Sequence, residues 1–320
     1  MKPSDGTLEN YMDSPPSLTD FYLENAPLFF ANDAFRNLLG KTITPDTEKY
    51  LFKKGELSEE ERFKHRFHSL LEGGEGALRL IAGLGYDKQT PLLEIGGGLG
   101  IVYGYLKALG YNIHSIEPIM GGYTLSREIA RAVFDILDVS PDHFFNLSTD
   151  NLTTIDHKYD IIFSFYTFEH VSNLPLAFKN MGAVLNEKGR MVHIVPNYTI
   201  PFETHFEIPL VPLFPKLTEF FIPRLKQDGL WNGLNFITNF KIDKVCQSAG
   251  LDVKYDRENL YNALLRLDDP NCEFSQSKSY LIPPYRLMKW CGLLGLLKYF
   301  PITLTSPLRF TVRHLPRSYK

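Results

Sequence analysis

Residues 91–100 constrain this chain more than any other stretch. An apolar run (Pro91, Leu92, Leu93) leads to Glu94 and Ile95, and glycines follow at 96, 97, 98 and 100. A short apolar run entering a glycine cluster reads as a buried strand turning through a tight loop. Glycine permits positive φ there and lets a ligand come close to the backbone. Residues 101–109 read as a helix, with Gly110 just past its end. A loop at the carboxyl end of a strand, opening a helix, is where open α/β sheets bind ligands. Two common ligand patterns fail. The dinucleotide fingerprint needs a third glycine three residues after the second, and those positions hold Ile101 or Tyr103. No Gly-Lys-Ser or Gly-Lys-Thr follows either, so this is not a phosphate loop.

What remains is an acid followed by glycines at alternate positions. In this spacing Glu94, Gly96, Gly98 and Gly100 resemble motif I of the class I S-adenosylmethionine (SAM)-dependent methyltransferases. An acid beside the ligand suits SAM, which carries an amino group and a sulfonium but no phosphate. The resemblance implies cofactor contacts from Glu94, Gly96, Gly97, Gly98 and Gly100. Residues 111–116 read as the second strand, ending at Glu117 and Pro118. In the family the acid at this place holds both ribose hydroxyls, and Glu117 stands about 20 residues past the loop, where such an acid belongs. Residues 121–139 read as a helix and 143–147 as the third strand. Relatives often place an Asp just after that strand, against the adenine. Aligning Leu152 with the usual leucine puts Ser148 there instead, with Thr149 beside it.

A second match lies in 158–171. It reads as the fourth strand and its loop, with Ser164, Phe165, Tyr166, Glu169, His170 and Val171. It resembles the ubiquinone-biosynthesis type of small-molecule methyltransferases, including their common Glu-His-Val. Residues 177–185 then read as a helix, 189–195 as the fifth strand, 240–249 as a helix stopped by Gly250, and 251–255 as the sixth strand. The family ends with a strand inserted antiparallel to the rest, and 308–314 is the candidate for it. The expected fold class is therefore α/β: a doubly wound, seven-stranded, mostly parallel sheet with helices on both faces. The resemblance covers about 91–197.

At 320 residues the chain can bury a good core. A formal net charge of −3 offers no overall attraction to nucleic acid. Cys246, Cys272 and Cys291 form no disulfide or zinc pattern and fit a reducing compartment. The first residues read as no signal peptide, and no run has the ~18 consecutive apolar residues of a membrane span. A cytoplasmic location is expected, with peripheral membrane contact through 285–320 as an open alternative.

Three regions follow. Residues 1–63 form an N-terminal extension, partly a helical lid. Residues 64–258 form the core, with a substrate loop at 196–223. Residues 259–320 form an apolar and basic cap. The charge-dense stretch 57–67 reads as a solvated helix face. The loop holds Pro196, Asn197, Tyr198, Pro201, Glu203, His205, Glu207 and Pro209. In an extended segment Glu203, His205 and Glu207 share one face, which suggests a metal. No second ligand cluster is recognisable, and no metal site is expected. From Tyr285 on there is no acid, but Arg286, Lys289, Lys298, Arg309, Arg313, Arg317 and Lys320 are present. Residues 287–300 hold a dense apolar cluster. It reads either as a helix capping the substrate cleft or as a surface lying on an anionic bilayer.

The chemistry asks for alignment of nucleophile, methyl and sulfur, and for a base if the acceptor is a hydroxyl. His170, just beyond the fourth strand, and His205 are the candidates. Phe165 and Tyr166 are expected to wall the cofactor, where aromatic faces favour a cationic sulfonium. Amino-methylating enzymes of nucleic acids carry Asn/Asp-Pro-Pro-Tyr/Phe after the fourth strand. Here the chain reads Ser164, Phe165, Tyr166, Thr167. The expected function is methyl transfer from SAM to a small or lipid-like acceptor, at oxygen. The alternative is a non-catalytic SAM-fold protein that binds a partner or senses the cofactor.

Overall fold

A computed structural model of the chain describes residues 16–42, 57–118, 124–269, 275 and 281–316. Its strands are β1 (Leu92–Ile95), β2 (Ile113–Ile116), β3 (Phe144–Phe145), β4 (Tyr159–Phe165), β5 (Leu185–Val195), β6 (Phe202–Glu203), β7 (Ile208–Pro209), β8 (Leu251–Tyr255) and β9 (Leu308–His314). Seven of them form one sheet in the order β3-β2-β1-β4-β5-β9-β8, and β6 pairs with β7 in a hairpin. β1 pairs parallel with β4, β4 with β5, and β2 with β3. β9 runs antiparallel to both of its neighbours, β5 and β8. This is the expected α/β fold, last strand included. β4 shows why the strands stay inside: Ile161, Ile162 and Phe163 are consecutive and all buried. That continuous apolar run suits a strand covered on both faces.

The chain divides into two compact units. One comprises the described residues up to Thr90 and Gly97–Asn146; the other comprises Pro91–Gly96 and the chain from Leu147 on. In the first unit, α1 (Leu18–Glu24), α2 (Ala26–Ala31) and α3 (Asp33–Gly40) precede the long α4 (Glu59–Ile81). α4 begins in a capping box: the Ser58 side chain accepts from the Glu61 N–H, and Glu61 reaches back to Ser58. Its buried residues Phe63, Phe67, Leu71 and Gly74 recur at helical spacing. Phe29, Phe35 and Phe67 pack there as a ring cluster. The charged stretch 57–67 is thus largely the solvated side of α4, whose other side is core. α4 also runs through position 63, so no break in structure occurs there. The same unit holds α5 (Ile101–Ala108) and α6 (Thr124–Leu137).

The second unit holds α7 (Leu174–Val184), α8 (Asn239–Ser248), α9 (Asn259–Leu265) and α10 (Ile282–Trp290). α7 starts earlier than expected because Asn173 caps it, accepting from the Leu176 N–H. β3 keeps only two of the five residues expected. Only Ser115 and Ile116 pair with it, and Asn146 is already exposed. The apolar segment 287–300 is not one helix. α10 ends at Trp290, Gly292 follows with φ +69°, and a 3₁₀ helix covers Leu294–Tyr299. A left-handed glycine is a helix stop signal, and it breaks the segment in two. The start of the helix expected from 121, the whole of 1–15 and Cys272 lie outside the described residues. No helix among those described is long and apolar enough to cross a membrane.

Candidate active site

The boundary between the two units falls within the glycine loop, between Gly96 and Gly97. In the first unit Gly98 and Gly100 have φ +52° and +75°. A Cβ on Gly98 would meet nothing within 4 Å, whereas one on Gly100 would sit 2.7 Å from the Phe134 ring. Gly100 is glycine because helices α5 and α6 close over it. Gly98 is glycine for its backbone angle alone, and the space before it is open. The Gly98 N–H donates to Glu117 Oε2 at 2.9 Å. Burial raises the Glu117 carboxyl and the Gly98 bond opposes it, with burial the stronger. A half-buried acid with one oxygen engaged and the other free to accept fits a vicinal diol.

In the second unit Glu94 is buried near the end of β1. Gly96 has φ +79°, and a Cβ there would lie 2.5 Å from the Thr167 side chain. Thr167 Oγ1 donates to the Ile95 carbonyl at 3.3 Å, tying the ends of β1 and β4 together. Phe165 and Tyr166 stand edge to face at 4.7 Å between centroids. Tyr166 has φ +50°, a strained angle for a bulky residue, held by its N–H to Ile194 O at 3.0 Å. Ser148 precedes the 3₁₀ turn Thr149–Thr154, and Thr149 is buried. Asn180 Nδ2 donates to the carbonyls of Thr149 and Asp150, which fixes that turn.

The second unit also brings the two candidate histidines together. The rings of His170 and His205 lie 5.4 Å apart. His170 ends the short 3₁₀ turn Phe168–His170, which Asn235 clamps through the carbonyls of Phe168, Glu169 and Val171. His205 sits between β6 and β7. Residues 204–207 form a turn between β6 and β7 and not a continued strand, so the face expected to join Glu203, His205 and Glu207 does not form. Glu207 is exposed with φ +49°, while Glu203 is fully buried. The turn still pairs Glu203 with His205: Oε1 to Nδ1 is 2.7 Å. Tyr198 Oη donates to the same oxygen at 2.9 Å, and the Phe206 N–H to Oε2 at 2.7 Å. Burial alone would raise the Glu203 carboxyl, but the bonds from His205, Phe206 and Tyr198 outweigh it and hold the carboxyl low. Burial likewise works against a charged His205, and Glu203 overcomes it, so His205 is raised above the ordinary histidine value. His170 goes the other way, down to about 4, through burial and the charge of His205.

Glu169 completes the cluster. It is fully buried, and neither carboxyl oxygen has a hydrogen-bond partner. Burial raises it to about 7. Glu169, His170 and His205 each offer one metal-ligating atom, all within 4.8 Å of one another. The grouping differs from the one the loop spacing suggests, with Glu169 and His170 in place of Glu203 and Glu207.

Three other residues matter here without any signal in sequence. Asn235 lies in a stretch with no pattern. Tyr198 has no special neighbour in sequence that marks its hydroxyl for Glu203. His193 of β5 is fully buried among Phe168, Phe178 and Phe310, with Nδ1 2.8 Å from Ser164 Oγ. Burial drives it down to about 3, so it is a neutral core residue that packs β4 on β5.

A model of the methyltransferase domain matches residues 61–255, more than half of the chain. An uncharacterized protein of Mycobacterium tuberculosis, found in two strains, is 27% identical over 181 residues, which is 53% of this chain and 60% of that protein. The chain thus covers less than two thirds of the curated relatives it matches. Among solved structures, the O-methyltransferase of a trans-AT PKS multienzyme of Brevibacillus brevis, in complex with S-adenosyl-L-homocysteine, is 13% identical with a TM-score of 0.47, covering 81% of this chain and 77% of that one. The CcbJ methyltransferase of Streptomyces caelestis is 14% identical with a TM-score of 0.45, covering 77% and 90%. The chain belongs to the methyltransferase-domain family whose model it matches.

Proposed function

We propose that this methyltransferase acts on a hydroxyl oxygen of a small, apolar or lipid-like acceptor, with His205 as the base that takes the hydroxyl proton. The bond between Glu203 and His205 carries this reading. An ionised carboxylate only accepts, so Nδ1 of His205 bears the proton shared with Glu203. That leaves the Nε2 lone pair to receive a proton. A raised basicity near neutral pH suits a general base. His170, held neutral far below neutrality, is the weaker base and serves to pack and orient His205.

SAM supplies a methyl on a positively charged sulfur, the electrophile of an in-line displacement. Glu117 is the proposed holder of the ribose hydroxyls, and the backbone of Gly96, Gly97, Gly98 and Gly100 is the proposed cradle. Glu94 is the proposed partner of the amino group. Ser148 and Thr149 are assigned to the adenine, and Phe165 and Tyr166 to the wall beside the sulfonium. The apolar character of the acceptor is proposed from the surroundings of the dyad. Phe206, Trp231, Phe236 and Tyr198 form a continuous chain of ring contacts next to it.

A second reading rests on the orphaned oxygens of Glu169. A divalent cation bound by Glu169, His170 and His205 would satisfy them, and Glu203 would then orient His205 from behind, as carboxylates do for ligating histidines. Kinetics of two variants separate the readings. With His205 as base, His205→Ala lowers turnover by roughly 10²- to 10⁴-fold and leaves SAM affinity intact, while His170→Ala costs much less. Equal losses in both variants, with activity restored by added metal in neither, favour the cation.

A further inference from the structure

The stretch from Tyr285 to Tyr299 repeats every three residues. One series holds Tyr285, Met288, Leu294 and Leu297, which pack inward on Leu260, Tyr261, Leu264 and Leu267, and Cys291, which is exposed beside the break at Gly292. The next series carries the cations Arg286, Lys289 and Lys298, with Gly292 and Gly295 between them. The third is Leu287, Trp290, Leu293, Leu296 and Tyr299, and all five are exposed, Trp290 at 85% and Tyr299 at 80%. Residues three apart share a side in α10 and lie directly above one another in the 3₁₀ helix that follows. Each of the two pieces therefore exposes large apolar side chains beside cations, Leu287 and Trp290 on α10 and Leu293, Leu296 and Tyr299 after Gly292, while its inward residues anchor it.

We propose that this strip is a docking surface for an anionic phospholipid bilayer. Large apolar side chains exposed this densely in one short segment mark an interaction surface. Trp and Tyr are the residues that settle at the membrane–water boundary, and an interfacial element pairs such a face with Lys and Arg. The charge matches: no acid occurs from Tyr285 to the last residue. Lys289 and Lys298 do pair with Asp268 and Glu258, at 2.7 and 3.2 Å. Pairs at the surface contribute little, so lipid phosphates can compete for both ammonium groups. A second copy of the chain is the poorer occupant, because self-pairing sets the cation row against itself. The strip lies beyond the part matched by the methyltransferase model, which ends at residue 255. It also leads into 302–305, whose carbonyls at Ile302, Thr303 and Thr305 accept from Asn197 and Thr199 of the loop that carries His205. A bilayer-held strip would keep that loop at a lipid surface.

The test is binding, independent of turnover. The full chain is mixed with phosphatidylcholine vesicles with and without phosphatidylglycerol, and bound protein is measured by flotation. Fluorescence gives a second readout. Of the two tryptophans Trp231 is buried, so a blue shift and quenching by brominated lipid report Trp290. We expect binding to the anionic vesicles, weakened by salt, with Trp290 quenched. The variant Trp290→Ser/Leu293→Ser/Leu296→Ser changes only exposed positions, and an unaltered melting curve confirms that it folds. It should bind roughly tenfold or more weakly. No binding of the intact protein to anionic vesicles overturns the proposal. Undiminished binding of a folded triple variant does so too, as does a dimer that the triple variant dissolves in the absence of vesicle binding.

Discussion

Glu203 Oε1 accepts from His205 Nδ1 at 2.7 Å, joining a fully buried carboxylate to an imidazole that is only partly covered. The carboxylate end is fixed by three donors, and on the proposed reading the other ring nitrogen takes the acceptor's proton. His205 must be neutral to take a proton. Its value is raised, so activity should climb with pH along a limb placed above the ordinary histidine range. Glu203→Gln removes what raises it. The limb should then move to lower pH while maximal turnover falls. A kcat/KM profile of both proteins checks this, and an unmoved limb would separate His205 from the rate.

Glu169 should cost the fold stability as pH rises. Its carboxyl titrates near 4.5 when unfolded and about 7 when folded. Between those values the folded state holds a proton that the unfolded state has lost, so stability falls with increasing pH. Above pH 7 the full penalty applies, ~3 kcal/mol for a shift of this size. Glu169→Gln should therefore raise the melting temperature at pH 8 and leave it nearly unchanged at pH 4. Equal melting curves at pH 8 would mean that the carboxylate is satisfied by a bound group.

Such a group is accessible to direct assay. Dialysis against EDTA should leave turnover unchanged if Glu203 and His205 act as a free base. Loss of activity, restored by a divalent cation and absent from Glu169→Gln, would transfer the role to the metal reading.

Glu117→Ala should weaken SAM without unfolding the protein. On the proposed ribose role it removes charge-assisted bonds of ~1.5–3 kcal/mol. That is roughly a 10- to 150-fold loss of affinity by calorimetry. Gly98→Ala acts on the other end of the same contact. A Cβ there meets no atom of the protein, so only the left-handed backbone is strained, by roughly 1–2 kcal/mol.

The parts of the molecule that repeat a local pattern were readable from sequence. The glycine loop, the acid of Glu117 and the apolar runs of β1, β4 and β5 follow from spacing and residue type alone. β9 was placed from the resemblance, which implies a last antiparallel strand, and 308–314 forms it. Contacts made by turns were not readable. The extended face expected for 203–207 is replaced by a hairpin turn, which keeps Glu203 with His205 and sends Glu207 into solvent. Glu169 was visible only as a neighbour of His170, because burial without a partner is a property of packing. The cap failed for a different reason. Gly292 takes a left-handed turn, and a period of three continues across it where a single helix was expected to run on.

The account turns on whether a methyl group from SAM reaches an apolar hydroxyl with the help of His205. Wild-type protein and His205→Ala are incubated with SAM labelled in the methyl group and with extracted lipids and metabolites, and the products are partitioned into solvent. The account predicts a labelled, solvent-extractable methyl ether from the wild type. It predicts almost none from His205→Ala at equal SAM occupancy. Label transferred equally by both proteins, or found only on nitrogen or carbon, would contradict it.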